Sequence, residues 1–132
     1  MRLTVNVDGG ARGNPGPAAA AAVVRDPAGE ILAERSERIG TATNNVAEYE
    51  ALLLGLELAK ELRATEVEVI GDSELIARQV RGEYKVRDPN LQPLHDRVSE
   101  ALAPFDGWTI RNVPREENAE ADRLVNEALD DG

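Results

Sequence analysis

Residues 4–17, TVNVDGGARGNPGP, decide how this chain folds. Leu3, Val5 and Val7 alternate with polar residues, which predicts a β-strand with one apolar and one polar face. Asp8 closes this strand on the face opposite the valines, and glycines follow it at once. Because glycine has no Cβ, backbone or a ligand can come close to this carboxylate. The stretch therefore predicts either a metal or phosphate site at a strand end or a polar strand end that runs into a turn.

The composition is that of one folded domain covering residues 1–132, with 42% hydrophobic and 30% charged residues. The absence of cysteine excludes disulfides and thiolate metal sites and is typical of a reducing compartment. No apolar run is long enough to span a membrane, and Met1 leads directly into the first strand. We therefore expect a cytoplasmic protein without a signal segment, and nothing in the sequence predicts an oligomer.

The net charge of −10 disfavours nucleic acid as a partner if it is considered alone. Divalent metal bound to some of the acids would reverse the local field, and basic residues are concentrated between Leu75 and Arg87. The net charge therefore decides nothing about the partner.

The pattern along the chain predicts an α/β domain with a five-stranded mixed sheet. Further strands at 18–25 and 30–39 are joined by short turns, so strands one to three form an antiparallel meander broken at Gly40. The remaining predicted elements are a helix capped at 41–45 and ending near Leu62, a strand at 64–70, helices at 73–81 and 91–102, a strand at 108–113 and a helix at 117–129. Because a helix separates it from the meander, the fourth strand is expected to run parallel to strand one, as is the fifth.

Four acids are predicted to meet at one edge of this sheet. Asp8 and Asp72 end neighbouring parallel strands, Glu48 lies in the first turn of the long helix, and Asp122 lies on the flank of the last helix. Carboxylates this close need cations, and Mg²⁺ or Mn²⁺ suits oxygen ligands. Two such ions would stabilise both the attacking and the leaving oxygen of a phosphodiester, so the arrangement favours phosphodiester hydrolysis.

Each of the later acids also has a purely structural explanation. Glu48 could close a capping box with Asn45, and Asp72 could cap the helix that follows it. Asp122 could be one more acid near a helix start. Only the coincidence of all four acids favours a site.

The motifs themselves resemble those of type 1 ribonuclease H, over essentially the whole chain. The matching segments are DGG at 8–10, GNPGP at 13–17, TNNVAE at 43–48, DS at 72–73, Asn118, and AD at 121–122. The resemblance implies a ribonuclease H-like fold and a divalent-metal-dependent endonuclease that hydrolyses the RNA strand of RNA–DNA hybrids, leaving 3′-hydroxyl and 5′-phosphate ends. It implies that Asp8, Glu48, Asp72 and Asp122 bind the metal, with two ions present when substrate is bound.

The same resemblance implies a set of substrate contacts. Asn14, Asn44 and Asn45 match residues that contact the minor groove of the hybrid, and Asn118 is also placed among the substrate-binding residues. The backbone of Gly9, Gly10 and Gly13 would approach the RNA strand, where a 2′-hydroxyl distinguishes RNA from DNA.

Two departures from the family pattern concern the loops. Many members carry a histidine before the last helix; here Arg115 is the nearest stand-in, and it could contact a phosphate but not act as a base. The long basic protrusion of some members is missing, and Tyr84, Lys85 and Arg87 could supply a smaller grip on the substrate or belong to a solvated loop.

Two other functions stay open from the sequence. One is a module that binds hybrids or double strands and whose catalysis has lapsed. The other is a nuclease of relaxed specificity that also cuts double-stranded RNA. The single histidine, His95, is expected to be structural or on the surface, and Phe105 and Trp108 are expected to belong to the core or its edge.

Overall fold

A computed structural model describes residues 1–131 of the chain. Its elements are β1 (Arg2–Ala11), β2 (Gly16–Arg25), β3 (Ile31–Ala42), α1 (Asn44–Glu61), β4 (Glu66–Gly71), α2 (Glu74–Val80), α3 (Gln92–Leu102), β5 (Gly107–Asn112), a 3₁₀ turn (Arg115–Asn118) and α4 (Ala119–Asp130). The sheet order is β3-β2-β1-β4-β5; β1 is antiparallel to β2, β2 is antiparallel to β3, and β1, β4 and β5 are parallel. This confirms the predicted mixed sheet. Within residues 1–131, no helix combines the length and apolar character needed to cross a membrane.

Most element boundaries differ from the predictions by one or two residues, and three of the differences affect the sheet and the last helix. β3 does not break at Gly40 but passes through it as an irregularity in the pairing with β2, where Gly40 has a φ of 80°. β1 does not end at Asp8 but continues to Ala11 along β2. The last helix begins at Ala119 rather than Glu117, because the preceding residues form the 3₁₀ turn.

The extension of β1 determines where the sheet opens. Its pairing with β2 includes Asp8↔Ala21, whereas its pairing with β4 stops at Asn6↔Ile70. Asp8 therefore lies where one neighbouring strand has already ended, and the carboxyl end of β4 leaves room beside it. This is the edge at which open α/β sheets bind ligands.

One face of the sheet is covered by α1, with α3 packed beside it. Thr43 caps α1, since its hydroxyl accepts from the Val46 N–H at 3.2 Å. The helix comes close to the sheet at Gly55, where an added Cβ would lie 2.6 Å from Val5 Cγ1. Large apolar side chains fill this layer, among them Leu3, Val5, Val7, Leu52 and Leu56.

The other face is covered by α4 alone and is much thinner. The alanine-rich β2 alternates, so that Ala20, Ala22 and Val24 join the first layer and Ala19, Ala21 and Val23 face α4. Leu124 and Val125 of α4 complete this second cluster. Phe105 is partly buried against the main core and Trp108 is 37% exposed, so both lie at the core or its edge as expected.

Candidate active site

Three acids meet at the open edge of the sheet. Asp8, Glu48 and Asp72 each bring one carboxylate oxygen to a point where all three oxygens lie within 4.8 Å of one another. Asp8 is contributed by β1, Glu48 by α1, and Asp72 by the residue after β4. Glu48 is the fifth residue of α1, so its predicted place in the first turn is wrong. The three residues line a cleft of about 810 Å³. The sequence-based prediction that distant acids converge here is correct for these three.

Glu48 is held by the strand that carries Asp8. Its Oε1 accepts from the Gly9 N–H at 3.2 Å, and the side chain is 8% exposed. The capping-box alternative for Glu48 is therefore wrong. The cap alternative for Asp72 is also wrong, because the hydroxyl of Ser73 caps α2 by accepting from the Ile76 N–H at 3.2 Å.

Gly9 has a structural role in addition to the one implied by the resemblance. A Cβ at Gly9 would lie 2.1 Å from the Ala47 carbonyl oxygen, so the missing side chain lets α1 reach the strand. Gly9 is buried under α1 but also lines the cleft, so its approach to an RNA strand stays a prediction. Gly10 and Gly13 do line or flank the cleft, and Gly13 has a φ of 102°. A φ in this range favours glycine at Gly13.

Asp122 reaches the same cleft from α4 and lies beside Asp8, outside the group formed by Asp8, Glu48 and Asp72. It lines the cleft and lies close enough to Asp8 to affect its protonation. Among residues 1–131 it does not complete the group of mutually close carboxylate oxygens. Asn126 Nδ2 donates to Asp122 Oδ2 at 3.5 Å, and the side chain is half-buried.

Burial and mutual repulsion make the cluster resist full ionisation. Burial raises the pKa of Asp8 to about 7, and the negative charges of Asp72 and Asp122 add to the effect. Burial also raises the pKa of Glu48 well above its ordinary value, with Asp8 and Asp72 contributing. A donor set made only of carboxylate oxygens, reluctant to be charged without a counter-ion, fits Mg²⁺ or Mn²⁺.

Two asparagines join the glycine turn to the start of α1. Asn14 Oδ1 accepts from the Asn44 backbone N–H at 3.1 Å, and Asn44 Oδ1 accepts from the Ala11 N–H at 2.9 Å. Asn44 and Asn45 line the cleft, while Asn14 is exposed beside it. Two of the three asparagines therefore lie at the cleft, and their contact with a hybrid stays a prediction.

Arg115 lies across the cleft from α1. Its Nε is 3.7 Å from Asp72 Oδ2, and 76% of its side chain is exposed. The guanidinium is therefore free to move toward a phosphate.

Asn118 is not a substrate contact, contrary to the prediction. It is 2% exposed, its Oδ1 accepts from Asn6 Nδ2 at 3.0 Å, and its Nδ2 donates to the Val7 carbonyl at 2.8 Å. Sequence reasoning missed Asn6 and its partner Arg25. The sequence offered no signal for Asn6, because position 6 belongs to the polar face of the alternating strand.

The basic loop lies outside the acid cleft. Tyr84 and Lys85 line a separate groove of about 280 Å³ together with His95, and Arg87 is exposed nearby. The Arg78 guanidinium lies 5.4 Å from the centre of the Tyr84 ring. His95 is half-buried with Nε2 3.1 Å from the Gln79 carbonyl oxygen, which fits the structural role expected for it.

Comparison with known proteins places this geometry in a family. The family model described as "Reverse transcriptase-like" matches residues 6–128. Ribonuclease HI of Halobacterium salinarum is 46% identical over 98% of this chain and 65% of its own length. A bifunctional protein of Mycobacterium tuberculosis is 44% identical over 98% of this chain but 36% of its own length. The chain thus spans less than two thirds of these curated relatives.

Solved structures agree with the sequence matches. The crystal structure of RNase H1 from Halobacterium salinarum superposes with a TM-score of 0.97 at 45% identity, covering 100% of both chains. LC11-RNase H1 in complex with an RNA/DNA hybrid superposes with a TM-score of 0.93 at 45% identity, covering 98% of this chain and 97% of that one. Since the motifs, the strand order and these matches agree from one end of the domain to the other, the chain belongs to the type 1 ribonuclease H family.

Proposed function

We propose that this chain is a divalent-metal-dependent endonuclease that hydrolyses the RNA strand of RNA–DNA hybrids and leaves 3′-hydroxyl and 5′-phosphate ends. The observation that carries the proposal is the contact of three carboxylates, from β1, α1 and the end of β4, in an open cleft. The same fold is found in LC11-RNase H1 bound to an RNA/DNA hybrid.

Asp8, Glu48, Asp72 and Asp122 would hold the metal, as two Mg²⁺ or Mn²⁺ ions when substrate is bound. Bound there, the ions would activate a water and stabilise the charge that develops on the leaving oxygen. The Gly9 N–H fixes the direction of the Glu48 carboxylate. Because the pKa of Asp8 is raised to about 7, the site without cations holds a proton near neutral pH and releases it when cations bind.

The asparagines at the cleft would contact the hybrid with their amino groups. The side-chain oxygens of Asn14 and Asn44 each accept from a backbone N–H group, which holds the side chains in place and leaves both hydrogens of each amino group free to donate. In the minor groove every base pair presents acceptors, purine N3 or pyrimidine O2. A donor at this place therefore contacts any sequence, which suits a nuclease that selects by strand type.

Arg115 would contribute charge but not proton transfer. Its position 3.7 Å from Asp72 lets it neutralise that acid in the free protein and contact a phosphate when substrate arrives. Arginine stays protonated at neutral pH, so the base-like role expected of a histidine in this loop is absent from Arg115.

A cleavage assay on matched duplexes tests the proposal. A labelled RNA–DNA hybrid, an RNA duplex and a DNA duplex of one sequence are incubated with the protein in Mg²⁺ or Mn²⁺. We expect cleavage of the RNA strand of the hybrid, and Asp8→Asn should abolish it while retaining the melting temperature and hybrid binding.

The alternatives correspond to other outcomes of the same assay. Binding of the hybrid without cleavage in either metal would mean that catalysis has lapsed. Cleavage of the RNA duplex at a comparable rate would mean relaxed specificity. We expect the active species to be a monomer, which sedimentation at the assay concentration checks.

A further inference from the structure

A series of buried polar contacts ties the start of α4 to β1. Arg25 Nη1 donates to Asn6 Oδ1 at 3.1 Å, and Asn6 Nδ2 donates to Asn118 Oδ1 at 3.0 Å. Asn118 Nδ2 completes the series by donating to the Val7 carbonyl oxygen at 2.8 Å. Asn6 is 8% and Asn118 2% exposed, so water cannot easily replace these bonds. The proposed reaction makes no use of Arg25 or Asn6.

The series runs in one direction because a guanidinium can only donate. Asn6 must turn its oxygen toward Arg25, and its amino group is then left for Asn118. Asn118 in turn must present its oxygen to Asn6, which aims its own amino group at the strand. The charge of Arg25 therefore fixes the orientation of two buried amides that lie beyond it.

The end of this series lies between two of the acids. Val7 directly precedes Asp8, so the carbonyl that Asn118 binds belongs to the peptide unit that enters Asp8. Asp122 follows Asn118 by four residues, which places both on the same side of the helical path. A shift of α4 at Asn118 thus moves Asp122 relative to Asp8.

The packing of α4 makes such an anchor necessary. The side chains beneath the helix are mostly small, namely Ala19, Ala21 and Val23. Ridges of small side chains interlock weakly, so they leave the position of a helix along its axis less well determined than large ones do. Buried polar contacts are known to set the register of helices where apolar packing alone leaves it open.

We propose that Arg25, Asn6 and Asn118 are positioning residues that set the place of Asp122 relative to Asp8. None of the three contacts substrate. The inference rests on the proposed nuclease function for its kinetic test, and hydrogen exchange of the metal-free protein tests it independently of activity.

The experiment compares Asn118→Ala with Val98→Ala in the full chain. Val98 is 1% exposed on α3 and belongs to the core cluster on the other side of the sheet from α4, so its truncation serves as a control for reduced stability. Asn118→Ala should lower kcat on the hybrid about 10- to 100-fold and leave KM within about twofold, as expected of an indirect support. In the metal-free protein, the amides of α4 should exchange about tenfold faster relative to those of α1. Val98→Ala should lower the melting temperature without either effect.

Arg25 provides a conservative rescue. Arg25→Lys keeps a charged donor facing Asn6 and should retain kcat within about twofold, whereas Arg25→Ala should lower kcat and loosen α4 in the same direction as Asn118→Ala. A combined Asn6→Ala and Asn118→Ala variant should lose little more activity than Asn118→Ala alone, because both substitutions interrupt one series.

Several results would overturn the proposal. A rise in KM with unchanged kcat for Asn118→Ala would make Asn118 a substrate contact. An equal fall in kcat for Val98→Ala would mean that the lower kcat of Asn118→Ala reflects reduced stability and not a displaced Asp122. If the wild-type protein cuts no hybrid, the proposed function is wrong, but the positioning role can still be tested by hydrogen exchange. Unchanged exchange rates of the α4 amides in Asn118→Ala would refute the positioning role.

Discussion

The two helices that cover the sheet, α1 and α4, each bring one carboxylate to the pair supplied by the sheet, but they are held in different ways. α1 rests directly on backbone at Gly9, and its Glu48 is buried and bonded to the Gly9 N–H. α4 rests on alanines, and its Asp122 is half-buried beside a 3.5 Å contact from Asn126. A helix docked against backbone has one position, whereas a helix on small side chains needs polar anchors to choose its position.

The largest expected difference between the two helices is seen when Glu48 and Asp122 are neutralised separately. Glu48→Gln should lower the cleavage rate about 10³-fold, because a tightly clustered metal ligand supplies several kcal/mol to the transition state. Asp122→Asn should lower it only about 10- to 100-fold, since Asp122 stands outside the close group. Single-turnover rates on the hybrid measure both. Equal reductions in rate would mean that Glu48 and Asp122 contribute equally to cleavage, despite the different packing of their helices.

The pH dependence of stability in the absence of metal tests whether Asp8 is buried in a close cluster with Glu48 of α1. Asp8 has a pKa of about 7 in the folded chain against 3.8 as the ordinary value, so the folded state binds its proton more tightly than the unfolded state. The resulting stabilisation is complete below pH 3.8, declines as pH rises, and is gone above about pH 7. At about 1.4 kcal/mol per pH unit, the whole decline is at most about 4 kcal/mol, of which at most about 3 kcal/mol falls between pH 5 and pH 7.

Urea unfolding in EDTA between pH 5 and pH 8 measures this decline, and Asp8→Asn is the control. The variant should have a flatter profile and be more stable than the wild type at pH 8. A wild-type stability that rises from pH 5 to pH 8 in EDTA would contradict the burial of these acids as a close cluster.

Adjacent glycines offer a matched test of the two layers. Gly9→Ala should destabilise the fold by about 3 kcal/mol or more, because the new Cβ would lie 2.1 Å from the Ala47 carbonyl oxygen under α1. Gly10→Ala faces α4, where the Cβ would lie 3.8 Å from Val125 Cγ1, and should change stability by less than about 0.5 kcal/mol. Chemical denaturation of both variants in EDTA decides the point, and similar destabilisation would contradict the difference in docking.

The smallest effect expected concerns the loop that belongs to neither layer. Lys85 and Arg87 are exposed, and within residues 1–131 neither takes part in an ion pair. Replacing both by alanine should reduce the slope of log K against log salt by about 1.8, because each phosphate that is no longer neutralised accounts for about 0.9. Binding is measured in the Asp8→Asn background to prevent cleavage. Lys60→Ala, near the far end of α1, is the control, and an unchanged slope for the double variant would remove the loop from the interface.

Much of the fold could be predicted from the local pattern of apolar and polar residues, because that pattern restricts which elements can form and how they connect. The alternation of Leu3, Val5 and Val7 requires a strand with a buried face, and the helix that follows the meander requires a crossover to a parallel neighbour. With Asp8 and Asp72 at the ends of neighbouring strands, convergence of acids at one edge needed no knowledge of side-chain contacts. The break predicted at Gly40 was wrong because glycine allows a positive φ inside a paired strand as readily as in a turn.

The sequence by itself determined the strand order, the family motifs and the acids that meet, since these depend on periodicity and on spacing along the chain. Only the tertiary structure decided that the missing side chain of Gly9 lets α1 rest on the strand, that Asn118 is buried against Asn6 and Val7, and that Asp122 lies beside Asp8 but outside the group of three mutually close carboxylates. The physical reason is that these roles depend on which groups from distant segments come within bonding distance, and a linear pattern contains no such distances.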